Sequence, residues 1–242
     1  MPESSPLAPL PEPRLDRRKQ FDERSRSFGI RPLLAAADTP RKPRSYTWRC
    51  LRNLDQQAEG ACVGFSFAHE LIARPGEVPG ITAAEARAIY KHAQTLDPWD
   101  GDNYSGTSVL AGVKAVQALY PGKYGSYRWA FGMHDCLLAL SYIGPVVLGI
   151  DWYTGMFNTD NNGFIEPTGN LAGGHAILCN GINVREEYVT LTNSWGKQWG
   201  TNGSCKISYA GLDALLMAQG EVCVPLSRAA EKRLGVTPSA TV

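Results

Sequence analysis

The chain changes its apolar repeat part-way along, and that change limits the folds open to it. Between Cys62 and Ile143 the apolar residues recur at helical spacing; after Pro145 they come in short β-branched runs broken by Gly and Asn. In "CVGFSFAHELIAR", Gly64, Phe67, Ala68 and Leu71 fall at i, i+3, i+4 and i+7, and the pattern stops at Pro75-Gly76. Thr82 and Glu85 form a capping-box pair before "AEARAIYKHAQ". A third helix is predicted from about Ser108 to Leu119, ended by Pro121-Gly122, and a short fourth in "DCLLALSYI", with Asp135 as its N-cap. Five strands follow, "PVVLGID", "HAILCNGI", "EYVTLTN", "SCKISY" and "EVCVPL", interrupted by one helix, "LDALLMA". Helices first and strands second predict an α+β protein. Its helical lobe covers about 50–128 and its sheet lobe about 129–226, with any ligand site in the cleft between them.

With 242 residues, 43% of them hydrophobic, the chain is long enough to bury a core of that kind. Its net charge of +1 gives no electrostatic case for nucleic acid or a membrane surface. The first 45 residues differ from the rest, holding ten Lys/Arg against six Asp/Glu and eight of the sixteen prolines. Residues 1–28 are therefore read as a flexible or draped arm, in solvent by preference, able to dock on a partner or to cover the chain's own cleft. Residues 227–242 are read as a tail. No apolar run reaches the ~18–20 residues that span a bilayer, and the N-terminus lacks a charged segment followed by an apolar one, so a cytoplasmic location is expected. The six cysteines are scattered without a CxxC pair, which argues against a zinc site and for mostly free thiols.

Cys62 stands at the predicted start of the first helix, where partial positive charge and free N–H groups favour a thiolate. Gln56 lies six residues earlier, on the loop before that helix, placed to donate to an oxyanion together with the Cys62 backbone N–H. His175 opens a strand behind Gly173 and Gly174, glycines that let a backbone or ligand come close, and is placed to act as a base. Asn193 ends the strand "YVTLT", where its side-chain oxygen can orient an imidazole. Each residue alone has a plainer role: a small buried hydrophobe, a satisfied histidine, a turn former.

Taken together, "DQQAEGACVGFSFA", "GGHAILCNGI" and "LTNSWGKQWGTNGSCKIS" resemble the papain-like cysteine peptidases, the C1 family in the broad sense. The resemblance runs from about Phe28 to Pro225. It implies a two-lobed fold with a β-barrel-like second lobe, no cofactor or metal, a peptide or protein substrate, and endopeptidase activity. It also implies roles: Cys62 as nucleophile, His175 as base and then acid, Asn193 as orienter, Gln56 in the oxyanion hole, and Trp195 over the Asn–His hydrogen bond. Gly106, Gly174, Trp195 and Leu215 would meet the substrate, and an apolar pocket around Leu215 and Leu216 would take the side chain one residue back from the cleaved position. The chain departs from the family in having Glu59 where secreted members place a cysteine, Val63 after the nucleophile, and Gly106 alone where a Gly-Gly pair is common. His175 and Asn193 lie 175 − 62 = 113 and 193 − 62 = 131 residues beyond Cys62, against roughly 130–150 in the family. Two other readings share this framework: an acyl transferase using the same acyl-enzyme, and a papain-fold binding module.

Overall fold

The computed structural model describes residues 14–20, 22–35, 41–101 and 104–235. A 3-10 turn (Glu23–Phe28) precedes α1 (Arg31–Ala35), β1 (Tyr46–Thr47), α2 (Cys62–Ile72), α3 (Ala83–Gln94), α4 (Val109–Leu119), β2 (Tyr124–Trp129) and α5 (Met133–Tyr142). Then come β3 (Val146–Tyr153), β4 (Leu171–Asn183), β5 (Tyr188–Thr192), β6 (Ser204–Ser208), α6 (Tyr209–Met217), β7 (Glu221–Ser227) and α7 (Arg228–Leu234).

The helices form for the local reasons the sequence offers. Thr82 Oγ1 accepts from the Ala84 N–H while Glu85 accepts from the Thr82 N–H, completing the predicted capping box of α3. Ser108 caps α4 by accepting from the Ala111 N–H at 3.0 Å. Helix α2 is buried on every side, with α3 and α4 around it and the sheet beneath, which accounts for its lack of a polar face. Helix α5 begins three residues earlier than predicted. Gly132, with φ 87°, takes the cap position, and Asp135 sits inside the first turn, where it accepts from Arg31 Nε at 3.0 Å.

The strands form one antiparallel sheet in the order β2-β7-β3-β4-β5-β6, with β1 paired to the end of β4. The sheet does not close into a barrel, which corrects the expected shape of the second lobe. Each of its outer edges is capped at one point. Ile30 N–H donates to Trp129 O on the β2 edge, and the 163–165 loop pairs with Lys206 on the β6 edge, so each edge ladder is interrupted by a neighbouring segment. Alternation along β3 sends Val147 to the helical-lobe core and Val146, Leu148 and Ile150 to the core under α5 and α6. The sheet is thus shared by two cores, with α2 and β4 in contact where they meet.

Two boundaries differ from expectation. Residues 228–234 are helical, and Glu231 is buried against Ser126 Oγ at 2.5 Å, so this stretch is no tail. Residues 14–20 lie across the body rather than in solvent, held by backbone bonds from Arg17 to Gly174 and from Arg18 to Thr107. The rest of the predicted arm, residues 1–13, and the last residues, 236–242, fall outside the described residues.

Glu70 of α2 is buried and accepts from Tyr124 Oη at 2.5 Å, tying the central helix to β2. Burial pushes its carboxyl up to about 8. With its folded value raised, this group stabilises most below the unfolded value near 4.5, and that contribution declines as pH rises toward 8. Glu70→Gln is therefore expected to flatten the fall in Tm between pH 5 and 8.5 and to raise Tm at pH 8.5 by roughly 3–6 °C; thermal melts across that range check it.

Candidate active site

The loop before α2 is fixed at several points before it delivers Cys62. His69 Nε2 accepts from the Leu54 N–H at 2.8 Å, Asp55 bridges to Trp195, and the Gln56 N–H donates to Ser194 O at 2.8 Å. Ser194 Oγ then donates to Gln56 Oε1 at 2.6 Å, which turns the Gln56 amide nitrogen away, toward the mouth of the cleft. That nitrogen donates to Glu59 O at 2.6 Å and Arg14 O at 3.2 Å. The Cys62 sulfur sits at the start of α2 and accepts from the Ala176 and Asp16 backbone N–H groups. Because Ala176 follows His175 directly, this contact brings the thiol and the imidazole to the same place.

His175 lies on β4 opposite Ile150, and its Nε2 is 2.9 Å from Asn193 Oδ1. The other ring nitrogen, Nδ1, is buried beneath the strap, beside the Arg14 backbone. Asn193 is held in turn: its N–H donates to Gly203 O, its carbonyl accepts from Asn53 Nδ2, and its Oδ1 also accepts from the Ser194 N–H. The turn that returns the chain to Gly203 uses left-handed backbone at Asn202 (φ 54°) and Gly203 (φ 80°), conformations that Asn and Gly adopt at least cost. The two Trp-Gly pairs have separate tasks there. Trp195 lies 5.1 Å from the His175 ring, and Trp199 packs edge-on to Trp195 while its Nε1 donates to Phe157 O.

Trp152 completes this aromatic wall, fully buried, its ring 4.8 Å from His175 at 72°. The sequence reading did not single it out. It stands two residues beyond Ile150 on the same face of β3, and only the β3–β4 register reveals that this face meets the histidine. Two closely packed indoles exclude water from the His175–Asn193 hydrogen bond, which strengthens it and fixes the ring.

Residues 14–18 roof the site. Trp195 carries the Arg14 guanidinium at 4.5 Å, and the Arg17 N–H donates to Gly174 O at 3.0 Å. The Asp16 carbonyl occupies the space that a Cβ on Gly106 would need, so only glycine admits the strap there. Under this roof Cys62 and His175 are both 0% exposed. Burial pushes the Cys62 thiol up to about 11, outweighing the two N–H groups that favour its thiolate. Burial likewise lowers His175 to about 4, against the opposing effect of Asn193. The covered pair is therefore neutral near pH 7, in contrast to the thiolate expected from the helix terminus alone.

Gln56, Cys62, His175 and Asn193 thus come together, with Gly174, Trp195 and Gly106 around them. Leu215 does not join them: it is 1% exposed in the sheet-lobe core. Leu216 instead lines a cavity of about 500 Å³ together with Arg17, Trp129, Phe131 and Glu221. Glu59, in the position of the family cysteine, accepts from Arg87 Nε at 2.6 Å, and all six cysteines are free. Among the described residues there is no cluster of three His, Cys, Asp or Glu placed to hold a metal, and no helix long and apolar enough to cross a membrane.

The profile of the papain family of cysteine proteases matches residues 105–223. Residues 105–223, just under half of the chain, are thus similar to the papain family. The match takes in His175 and Asn193 but begins beyond Gln56 and Cys62, whose places rest on the geometry above. The cathepsin B-like cysteine proteinase 6 of Caenorhabditis elegans is 30% identical over 99 residues, 38% of this chain and 26% of that protein. A cathepsin B-like cysteine proteinase of Schistosoma japonicum is 36% identical over 62 residues, 25% of this chain and 18% of that one. The chain therefore spans about a quarter or less of the length of these relatives. Among solved structures, xylellain, a cysteine protease from Xylella fastidiosa, superposes with a TM-score of 0.69 at 18% identity, over 92% of this chain and 99% of that one. The digestive procathepsin L2 of Tenebrio molitor gives 0.59 at 19% identity, over 91% and 81%. These likenesses establish the family's two-lobed α+β fold for the chain.

The roof sets an expectation for thiol chemistry. Arg17→Ala removes a buried charge pair, worth about 3 kcal/mol or more. Alkylation of Cys62 by iodoacetamide, followed by peptide mass spectrometry, should then run about 100-fold faster than in the unaltered chain; equal rates would show that the strap does not limit access.

Proposed function

We propose that the chain is a cysteine endopeptidase whose substrate is a peptide or protein and whose reacting groups are Cys62, His175, Asn193 and Gln56. The observation that carries this reading is the His175 ring: Nε2 is committed to Asn193 at 2.9 Å, which leaves Nδ1 for the thiol once the Arg14 backbone has withdrawn with the strap.

The chemistry follows from that tautomer. His175 Nε2–H donates to Asn193, and Nδ1 takes the proton of Cys62 as the sulfur attacks the carbonyl carbon. Negative charge develops on the carbonyl oxygen, where the Gln56 amide N–H and the Cys62 backbone N–H donate to it. The Arg14 carbonyl already accepts from that Gln56 nitrogen, so the strap places a peptide carbonyl on the proposed oxyanion donor. His175 then gives its proton to the leaving amine as the C–N bond breaks, leaving a thioester on Cys62. Water, deprotonated by His175, attacks the thioester and releases the acid, and the thiol is restored. An acyl transferase shares every step except the last acceptor.

Cys62→Ala is expected to abolish cleavage of a fluorogenic peptide library, and Asn193→Ala to lower kcat at least about 10-fold through loss of ring orientation. Hydrolysis that survives in Cys62→Ala would overturn the assignment. Adding an amine acceptor separates transfer, seen as an amide product, from hydrolysis.

A further inference from the structure

The two proposed oxyanion donors are attached to different parts of the molecule. The Cys62 backbone N–H belongs to α2, whereas the Gln56 amide stands on the loop before it. That loop is tied to the sheet lobe at several points. Asn53 Nδ2 donates to Asn193 O at 2.9 Å and to Gly203 O at 3.1 Å, the Gln56 N–H donates to Ser194 O at 2.8 Å, and Asp55 bridges to Trp195. Among the described residues, one hydrogen bond joins residues 53–57 to α2: the Leu54 N–H donates to His69 Nε2 at 2.8 Å.

His69 stands seven residues beyond Cys62, two helical turns on, and so on the same face of α2. It is fully buried, and burial lowers it to about 4, so near pH 7 the ring is neutral and Nε2 keeps the lone pair that accepts from Leu54. The ring proton is then on Nδ1, which is buried and has no hydrogen-bond partner among the described residues. A buried donor left unpaired costs stability. Packing alone therefore favours an apolar side chain of similar size at this place, and what the imidazole adds is its hold on the loop.

We propose that His69 is a positioning residue: through the Leu54 N–H it sets the separation of the Gln56 amide from the Cys62 N–H, so that both donors reach one oxyanion. The proposal rests on the peptidase reading for the oxyanion and on the hydrogen bonds alone for the hold on the loop. Without His69 the Gln56 amide follows the sheet lobe while Cys62 follows α2. A donor misplaced by about 1 Å loses most of its effect on the transition state. The oxyanion forms only in the transition state, so the loss falls on kcat and not on KM.

The test compares the full chain with His69→Leu, which removes the acceptor, and His69→Gln, which keeps one in Oε1; His69→Met replaces the leucine variant should that fail to fold. On a fluorogenic peptide, His69→Leu should lower kcat about 30-fold with KM within about 3-fold, at a Tm within about 3 °C of the unaltered chain. His69→Gln should return kcat to within about 3-fold. In a Gln56→Ala background, His69→Leu should cost less than about 3-fold more, because the group it positions is gone. A peptide aldehyde, to whose carbonyl the Cys62 thiol adds, places the resulting oxygen between the two donors and should bind the leucine variant about 10-fold or more weaker than the other two proteins. Equal aldehyde affinity in all three, or a fall in kcat that tracks a fall in Tm and is not rescued by glutamine, overturns the positioning role and leaves the peptidase reading intact. Aldehyde affinities in the expected order with no peptide cleaved keep the positioning role and overturn the peptidase reading.

Discussion

The hydrogen bond between His175 Nε2 and Asn193 Oδ1 is the contact on which the rest of the site depends. It joins β4 to the end of β5, so its length is set by a sheet register that also serves the core. The Asn193 backbone is pinned from both sides, by Gly203 and by Asn53, and two indoles, Trp152 and Trp195, close over the place where the two side chains meet. Rigid support of this kind holds a ring within the small angular tolerance that proton transfer requires. The same turn reaches the opposite lobe: Ser194 holds the Gln56 backbone and side chain together, so one short segment orients groups on both walls of the cleft.

The strap explains why Cys62 and His175, though brought together, are both held in their neutral forms. A helix terminus draws the Cys62 thiol toward its anion and full burial drives it the other way, and burial dominates. The residues that roof Cys62 and His175 also place the Arg17 guanidinium between Glu221 and Asp151, so one stretch of seven residues makes both contacts. The loop that carries Cys62 is anchored by Glu59 and Arg87 at its outer end, a partly exposed pair. Such pairs contribute about 0.2–1 kcal/mol, so the inward bonds to Ser194 and His69 carry most of the restraint.

Much of this was legible in the sequence because it is local. Capping chemistry at Thr82 and Ser108, the period of α2 to α4, and the special residues around Asn193 all act within a few positions of themselves, and their elements formed as read. What was missed depends on pairing between distant segments. Trp152 reaches His175 only through the β3–β4 register, and Gly149 meets Glu221 only through β3–β7. Leu215 failed for a related reason: helix α6 has an apolar stripe, and its period does not say whether that stripe faces the cleft or the core. Strand β2, "YGSYRW", lacks an alternating pattern and gains its order from β7. Asp135 was displaced from the cap by a glycine whose left-handed backbone no side chain announces.

The strap and the site it covers belong to one polypeptide, and that fixes how the cover responds to concentration. A tethered segment meets its site at an effective concentration set by the linker, on the order of millimolar for a short flexible one. Dilution of the protein leaves that value unchanged, so the covered state is as fully occupied in a trace amount as in a concentrated one. A single backbone cut between residue 20 and α1 turns the tether into a separate ligand. From that moment the cover obeys mass action, and a sufficiently dilute solution empties the cleft without any change in the contacts themselves.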